Sequence, residues 1–234
     1  SAHVPVFDAL RDEDHQGLGL RHLVDEELLA RARREGPEAV AGEVRAVLER
    51  AVAEGARAVL CTCSTIGGIA EAAGAEAGVP VLRGDRPMAA AAVATGTRIV
   101  VLATVESTFG PTVSLIEEEA RRAGRPVRLR TRLVDGAWES FAAGDGGRCA
   151  HLVAVAADAV TDADVIVLAQ GSMAPAQHLT TTAVPVLSSP RAGLAAGPAC
   201  VCRRVGPPGA PRPSGGRVGE GAGGGGGGVA RRQV

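Results

Sequence analysis

The chain contains no lysine, no asparagine and no tyrosine, and aromatic residues make up only 2% of it. Arginine therefore supplies all 25 basic side chains. Without lysine there is no Schiff base with a carbonyl substrate or pyridoxal phosphate, and no P-loop lysine, which excludes two large enzyme classes. No apolar run reaches the roughly 18 residues of a membrane span, and no signal-type apolar segment follows a basic N-terminus. A soluble, cytoplasmic protein with no membrane partner is the expectation. The five cysteines, Cys61, Cys63, Cys149, Cys200 and Cys202, are odd in number and lack framework spacing, so no disulfide scaffold is expected. Cys61/Cys63 and Cys200/Cys202 are C-x-C pairs, tighter than the usual zinc spacing, and no metal site is assigned.

The 234 residues are 46% hydrophobic and 22% charged, enough for one large or two small globular domains. A net charge of −1 gives no electrostatic case for a nucleic-acid partner. Its distribution is uneven: residues 197–234 hold six Arg and one Glu, whereas residues 1–196 hold 19 Arg against 25 acids. The same terminal stretch has 13 Gly and 5 Pro in 38 positions, six of the glycines consecutive at 223–228. Such a composition cannot bury enough apolar surface to offset its chain entropy, so 197–234 is expected to be a disordered tail. It reads as a shifted frame in GC-rich coding sequence, and the helix due after Pro190-Arg-Ala-Gly-Leu194 is not expected to form. The first strand of an α/β domain also looks missing, because the sequence opens on Ser-Ala-His.

Between these ends, short β-branched runs alternate with Ala-rich helical stretches. Strands are expected at 56–62, 79–83, 98–104, 127–133, 164–169 and 184–188. Helices are expected at 25–36, 37–54, 65–77, 87–94, 111–123 and about 138–160. Continuous Val/Ile/Leu strands separated by helices indicate parallel sheets covered on both faces, an α/β fold. There is an internal repeat: Ala58-Val-Leu-Cys-Thr-Cys-Ser-Thr65, a short helix and Val79-Pro-Val-Leu82 match Ile166-Val-Leu-Ala-Gln-Gly-Ser-Met173, a short helix and Val184-Pro-Val-Leu187. Two such units would face one site. The expected division is a first domain of residues 1–86 with 184–196, a second of 87–183, and the tail.

Cys61-Thr62-Cys63-Ser64-Thr65 lies where a parallel strand ends and a helix begins, the crevice end at which open α/β sheets bind ligands. Helix N-terminal N–H groups there hold carboxylates and lower thiol pKa values. Strand alternation makes Cys61 the buried, inert member of the pair and Cys63 the candidate thiolate.

Four segments resemble the aspartate/glutamate/hydantoin racemase superfamily: Cys63-Ser64-Thr65, Ile99–Thr104 with Ser107 and Thr108, Val165–Ser172, and His22-Leu-Val-Asp25-Glu-Glu-Leu-Leu29. The similarity covers roughly residues 3–195. It implies two flavodoxin-like three-layer α/β/α domains related by a pseudo-twofold axis. It further implies a cofactor-independent site for a small carboxylate-bearing molecule, in which two thiols exchange a proton on opposite faces of a carbon. Cys63 matches the first thiol. The second falls on Gln170, or on Gly171 if the repeats are aligned by Leu60 and Leu168, and neither carries a proton near neutral pH. Four residues are candidate replacements: Cys149, which lies in a predicted helix well away from the turn; His178, against a surface reading; His3, near a fraying terminus; and Glu106, against a solvated charge at a helix start. Substrate binding is assigned to Ser64, Thr65, Thr104, Ser107, Thr108, Gln170, Gly171 and Ser172, against the alternative that the Ser and Thr residues merely cap helices. The functional expectations are an isomerase of the racemase type, a one-thiol isomerase or decarboxylase, or a non-catalytic carboxylate binder. A homo-oligomer stays open.

Overall fold

The computed structural model describes residues 3–204, with side chains up to residue 197. Helix α1 (His3–Asp14) opens the fold, where no helix was expected. Then come α2 (Glu26–Glu35), a 3₁₀ turn (Pro37–Val40) and α3 (Ala41–Ala53). Asp25 starts α2 by accepting the Leu28 N–H at 2.9 Å, the capping role that Asp favours at a helix start. Strand β1 (Val59–Cys61), α4 (Ser64–Gly74), β2 (Val81–Arg83) and α5 (Arg86–Thr95) follow. The rest comprises β3 (Arg98–Ala103), α6 (Phe109–Ala123), β4 (Arg128–Leu133), α7 (Ala137–Ala142), α8 (Gly146–Asp158), β5 (Val165–Leu168), a 3₁₀ helix (Gly171–His178), β6 (Val186–Ser188) and α9 (Ser189–Arg204).

All strand pairings are parallel, in a two-stranded sheet β1-β2 and a four-stranded sheet β4-β3-β5-β6. In the larger sheet, period-2 alternation divides the central strands between two cores. Val100, Leu102, Ile166 and Leu168 pack with Val153 and Ala157 of α8 on one face. Ile99, Val101, Ala103, Val165 and Val167 pack with α5 and α6 on the other. The smaller sheet is built the same way: Val59 and Cys61 face α2, α3 and α4, while Leu60 faces Phe7, Leu10 and Leu194 of α1 and α9. Two three-layer α/β/α units result, the architecture expected from the alternation of runs.

Three expectations are corrected. The helix foreseen over 138–160 is two helices, because Gly144 at φ +86° ends α7 and Asp145 caps α8 by accepting the Arg148 N–H at 2.8 Å. The strand at 184–188, assigned with the first domain, pairs as β6 with β5 in the larger sheet, and the helix after it packs against α1 and β1. That helix does form: α9 runs from Ser189 to Arg204 and takes in 197–204. Its anchor is a close approach in which Gly193 lies against the Gly84 backbone. The expectation for residues 205–234 lies outside the described residues.

Candidate functional site

Both sequence-selected turns leave the C-terminal ends of parallel strands. Cys63 is the N-cap residue of α4 in extended conformation (φ −101°, ψ 118°) and is partly buried. Gln170 is the N-cap residue of the 3₁₀ helix, also extended (φ −122°, ψ 140°) and partly buried. Strand register fixes their equivalence. Val59 pairs with Val81 and Cys61 with Arg83 in one sheet; Ile166 pairs with Val186 and Leu168 with Ser188 in the other. Two residues beyond Cys61 is Cys63, and two residues beyond Leu168 is Gln170. Of the two possible alignments of the repeat, the one that sets Gln170 opposite Cys63 is therefore the one the hydrogen bonding follows, not the one that sets Gly171 there.

The Gln170 side chain is held. Its Oε1 accepts from the Thr104 backbone N–H at 2.7 Å and from the Thr104 hydroxyl at 3.1 Å. Thr104 is buried just past β3, and β3 and β5 are adjacent strands, so the amide oxygen is drawn in and its NH₂ remains as a donor.

Cys61 points into the core beside α3 and α4, and burial, with the neighbouring Cys63 sulfur, pushes its thiol up to about 12. Its Sγ lies 3.6 Å from the Cys63 carbonyl oxygen, a weak donor contact. Cys149 is buried in α8 among Val153, Ala154 and Ala157, where burial raises its thiol too; it is a core residue. Cys63 alone of these three stands at a helix start.

A third group joins the two turns. His3 Nδ1 is 3.2 Å from the hydroxyl oxygen of Thr62, the residue before Cys63. Gly171, the residue after Gln170, lies against the same ring: a Cβ there would sit 3.1 Å from Nε2. Burial is the main cause that lowers the His3 pKa, and the positive charge of Arg33 adds to it. Arg33 itself stacks over Trp138 at 5.2 Å from the ring centre.

Of the remaining candidates, Ser64 and Thr65 open α4, Thr108 precedes α6, and Ser172 follows Gly171. None of these hydroxyls caps its helix, which sets aside the capping alternative. Ser107 and Glu106 are exposed in the 3₁₀ turn after β3. His178 is exposed at the far end of its 3₁₀ helix. Ser172 also lines a recess of about 360 Å³ with Val6, Phe141, Pro175 and Leu179.

Sequence reasoning missed Thr62 as a partner and the buried ion pair under the site. Arg83, at the end of β2, donates Nε and Nη2 to Asp85 at 2.8 and 2.9 Å, with both side chains almost wholly enclosed. The spacing Arg83-Gly-Asp85 directly after a Val-Pro-Val-Leu strand was the available signal. Among the described residues, no group of three or more His, Cys, Asp or Glu side chains could hold a metal ion. No helix among them is long and apolar enough to cross a membrane.

A sequence profile of the Asp/Glu/Hydantoin racemase family matches residues 5–197. No curated protein matches the chain by sequence. Among solved structures, glutamate racemase RacE1 from Bacillus anthracis is 17% identical with a TM-score of 0.53; the match covers 70% of this chain and 65% of that one, just under two thirds of its length. Glutamate racemase from Aquifex pyrophilus is 15% identical with a TM-score of 0.57, covering 83% and 78%. A variant of arylmalonate decarboxylase is 22% identical with a TM-score of 0.51, covering 71% and 76%. At these identities the likeness is one of fold.

Proposed function

The chain belongs to the Asp/Glu/Hydantoin racemase family, and we propose that it moves a proton at a carbon next to a carboxylate of a small substrate, without a cofactor, through the Cys63 thiol. In this reading the thiolate takes the α-proton and the C–H electron pair passes into the carboxylate as an enediolate. The thiol returns the proton in the reverse step. The helix N-terminus at Cys63 favours a bound carboxylate. Ser64, Thr65, Thr108, Ser172 and the Gln170 NH₂ are the donors assigned to the substrate, with Thr104 fixing Gln170 and Gly171 leaving room beside it. Ser107 stays assigned at the rim.

The carrying observation is the register that makes Gln170 the counterpart of Cys63. A carboxamide donates and accepts hydrogen bonds but gives up no proton near pH 7. Only one of the two turns therefore carries a thiol, which also suits a one-thiol relative: a decarboxylase in which loss of CO₂ from a malonate-type substrate leaves an enediolate that the Cys63 thiol protonates, or an isomerase. The domain division that goes with this reading sets residues 1–86, with α9 of the 184–196 segment, on one side of the site and 87–183 on the other. The test is to label Cys63 with iodoacetamide in the presence of aspartate, glutamate or phenylmalonate and to assay turnover of each protecting compound. Protection accompanied by turnover supports an enzyme, protection without turnover a binding protein, and no protection by any of the three contradicts the site.

A further inference from the structure

We propose that His3 is the second proton carrier of this site, its imidazole standing beside Gly171 on the side where the repeat sets Gln170 instead of a second thiol. The inference rests on the function proposed above. Three contacts carry it. Nδ1 is bonded to the hydroxyl of Thr62, one residue from Cys63. Nε2 faces Gly171, one residue from Gln170, at a distance that a side chain on residue 171 would crowd. Phe7, one turn on in α1, meets the ring at a centroid separation of 6.5 Å and a tilt of 56°, which orients it. A single imidazole thus reaches both of the turns that the register relates.

The hydrogen bonding suits a carrier. The Thr62 hydroxyl oxygen can accept Nδ1–H in both the neutral and the protonated ring, so the proton that comes and goes is on Nε2, the nitrogen next to Gly171. Burial favours the neutral ring, which is the basic form. In one direction Nε2 takes the α-proton, the C–H pair passes into the carboxylate, and the Cys63 thiol delivers its proton to the other face of the carbon. The site then holds an imidazolium and a thiolate, which is the state that converts the opposite enantiomer. Protons balance, and no oxidant, reductant or further reactant enters.

The experiment follows α-proton exchange in D₂O by NMR, with each enantiomer of aspartate, glutamate and 5-benzylhydantoin as probes. Wild-type protein is expected to exchange both enantiomers of at least one probe. His3→Gln keeps a group able to bond Thr62 but removes the base, and should lose exchange of one enantiomer by about 100-fold or more. Exchange of the other enantiomer should stay within a few-fold. Cys63→Ser should show the opposite preference. Gly171→Ala, which pushes on Nε2 while keeping the histidine, should slow the same enantiomer as His3→Gln, and 50 mM imidazole should partly restore exchange to His3→Gly. Equal loss of both enantiomers in His3→Gln and Gly171→Ala, or loss of neither, overturns the assignment of His3 while leaving the Cys63 reading standing. Wild-type protein that exchanges neither enantiomer of any probe overturns the reading of the site and this proposal with it.

Discussion

The Gln170 amide oxygen accepts two hydrogen bonds from Thr104, one from the backbone N–H at 2.7 Å and one from the hydroxyl at 3.1 Å. This contact ties the turn after β5 to the end of β3 and decides which end of the carboxamide is left for a substrate. It also gives Gln170 a structural role beside the binding role proposed for it.

Removing that acceptor should be felt in stability. Gln170→Ala leaves the N–H of buried Thr104 without a partner, a cost of about 1–3 kcal/mol. Gln170→Glu restores an acceptor and should recover most of it. Urea unfolding midpoints of the two variants check this; equal midpoints for Gln170→Ala and the parent would contradict it.

The three described thiols should react in a fixed order. Burial pushes Cys61 up to about 12 and raises Cys149, so both stay protonated near pH 7.5. Since the thiolate is the nucleophile, iodoacetamide should modify Cys63 before either, as read by peptide mapping over time. Cys61 should gain reactivity only in strongly alkaline solution. Faster labelling of Cys61 than of Cys63 would reverse the assignment of the pair.

Much of this was legible beforehand. The alternation of short strand-like runs with Ala-rich stretches located every strand, and the burial of Ile99–Ala103 in β3 and of all of β5 follows from apolar residues at consecutive positions. The repeat pointed to the Cys63 and Gln170 turns because both copies end in Val-Pro-Val-Leu strands. What sequence could not supply was long-range pairing. Nothing local distinguishes β6 as a partner of β5 from a partner of β1, and Gln170 reads as a binding residue until Thr104 is seen to hold its oxygen. Helix α1 was missed because its apolar face, Phe7 and Leu10, finds its partner in Leu194, far away in the chain. His3 joins both turns through contacts to residues 62 and 171, far apart in the chain.

The seat of α9 is tightly specified. A Cβ on Gly193 would lie 2.5 Å from the Gly84 carbonyl oxygen, a backbone atom that cannot swing aside. Gly193→Ala should destabilise by about 1–3 kcal/mol, as overpacking does. Thermal unfolding measures it. A variant as stable as the parent would mean that α9 packs elsewhere.

Acid should loosen the start of the larger sheet. Asp164 accepts from the Arg98 side chain and from the backbone N–H groups of Thr97 and Arg98, which hold its carboxyl well below the usual carboxylate range. A folded-state value below the unfolded value of about 4 gives stability that is present above pH 4 and lost as pH falls through the folded value. Asp164→Asn should therefore be less stable than the parent at pH 7, with the gap closing in strong acid. Urea midpoints across pH check it; a gap that widens on acidification would contradict the sign.

The most direct test of the central claim is turnover by Cys63→Ser. With a substrate that the parent converts, whether by racemization, isomerization or decarboxylation, the serine variant should lose at least about 100-fold in rate, because a hydroxyl is too weak an acid to exchange the proton. Its far-UV circular dichroism and melting temperature should stay close to those of the parent. Full turnover by a folded Cys63→Ser protein would contradict the account, since Cys61 packs against the core and Cys149 is buried in α8, away from the two turns.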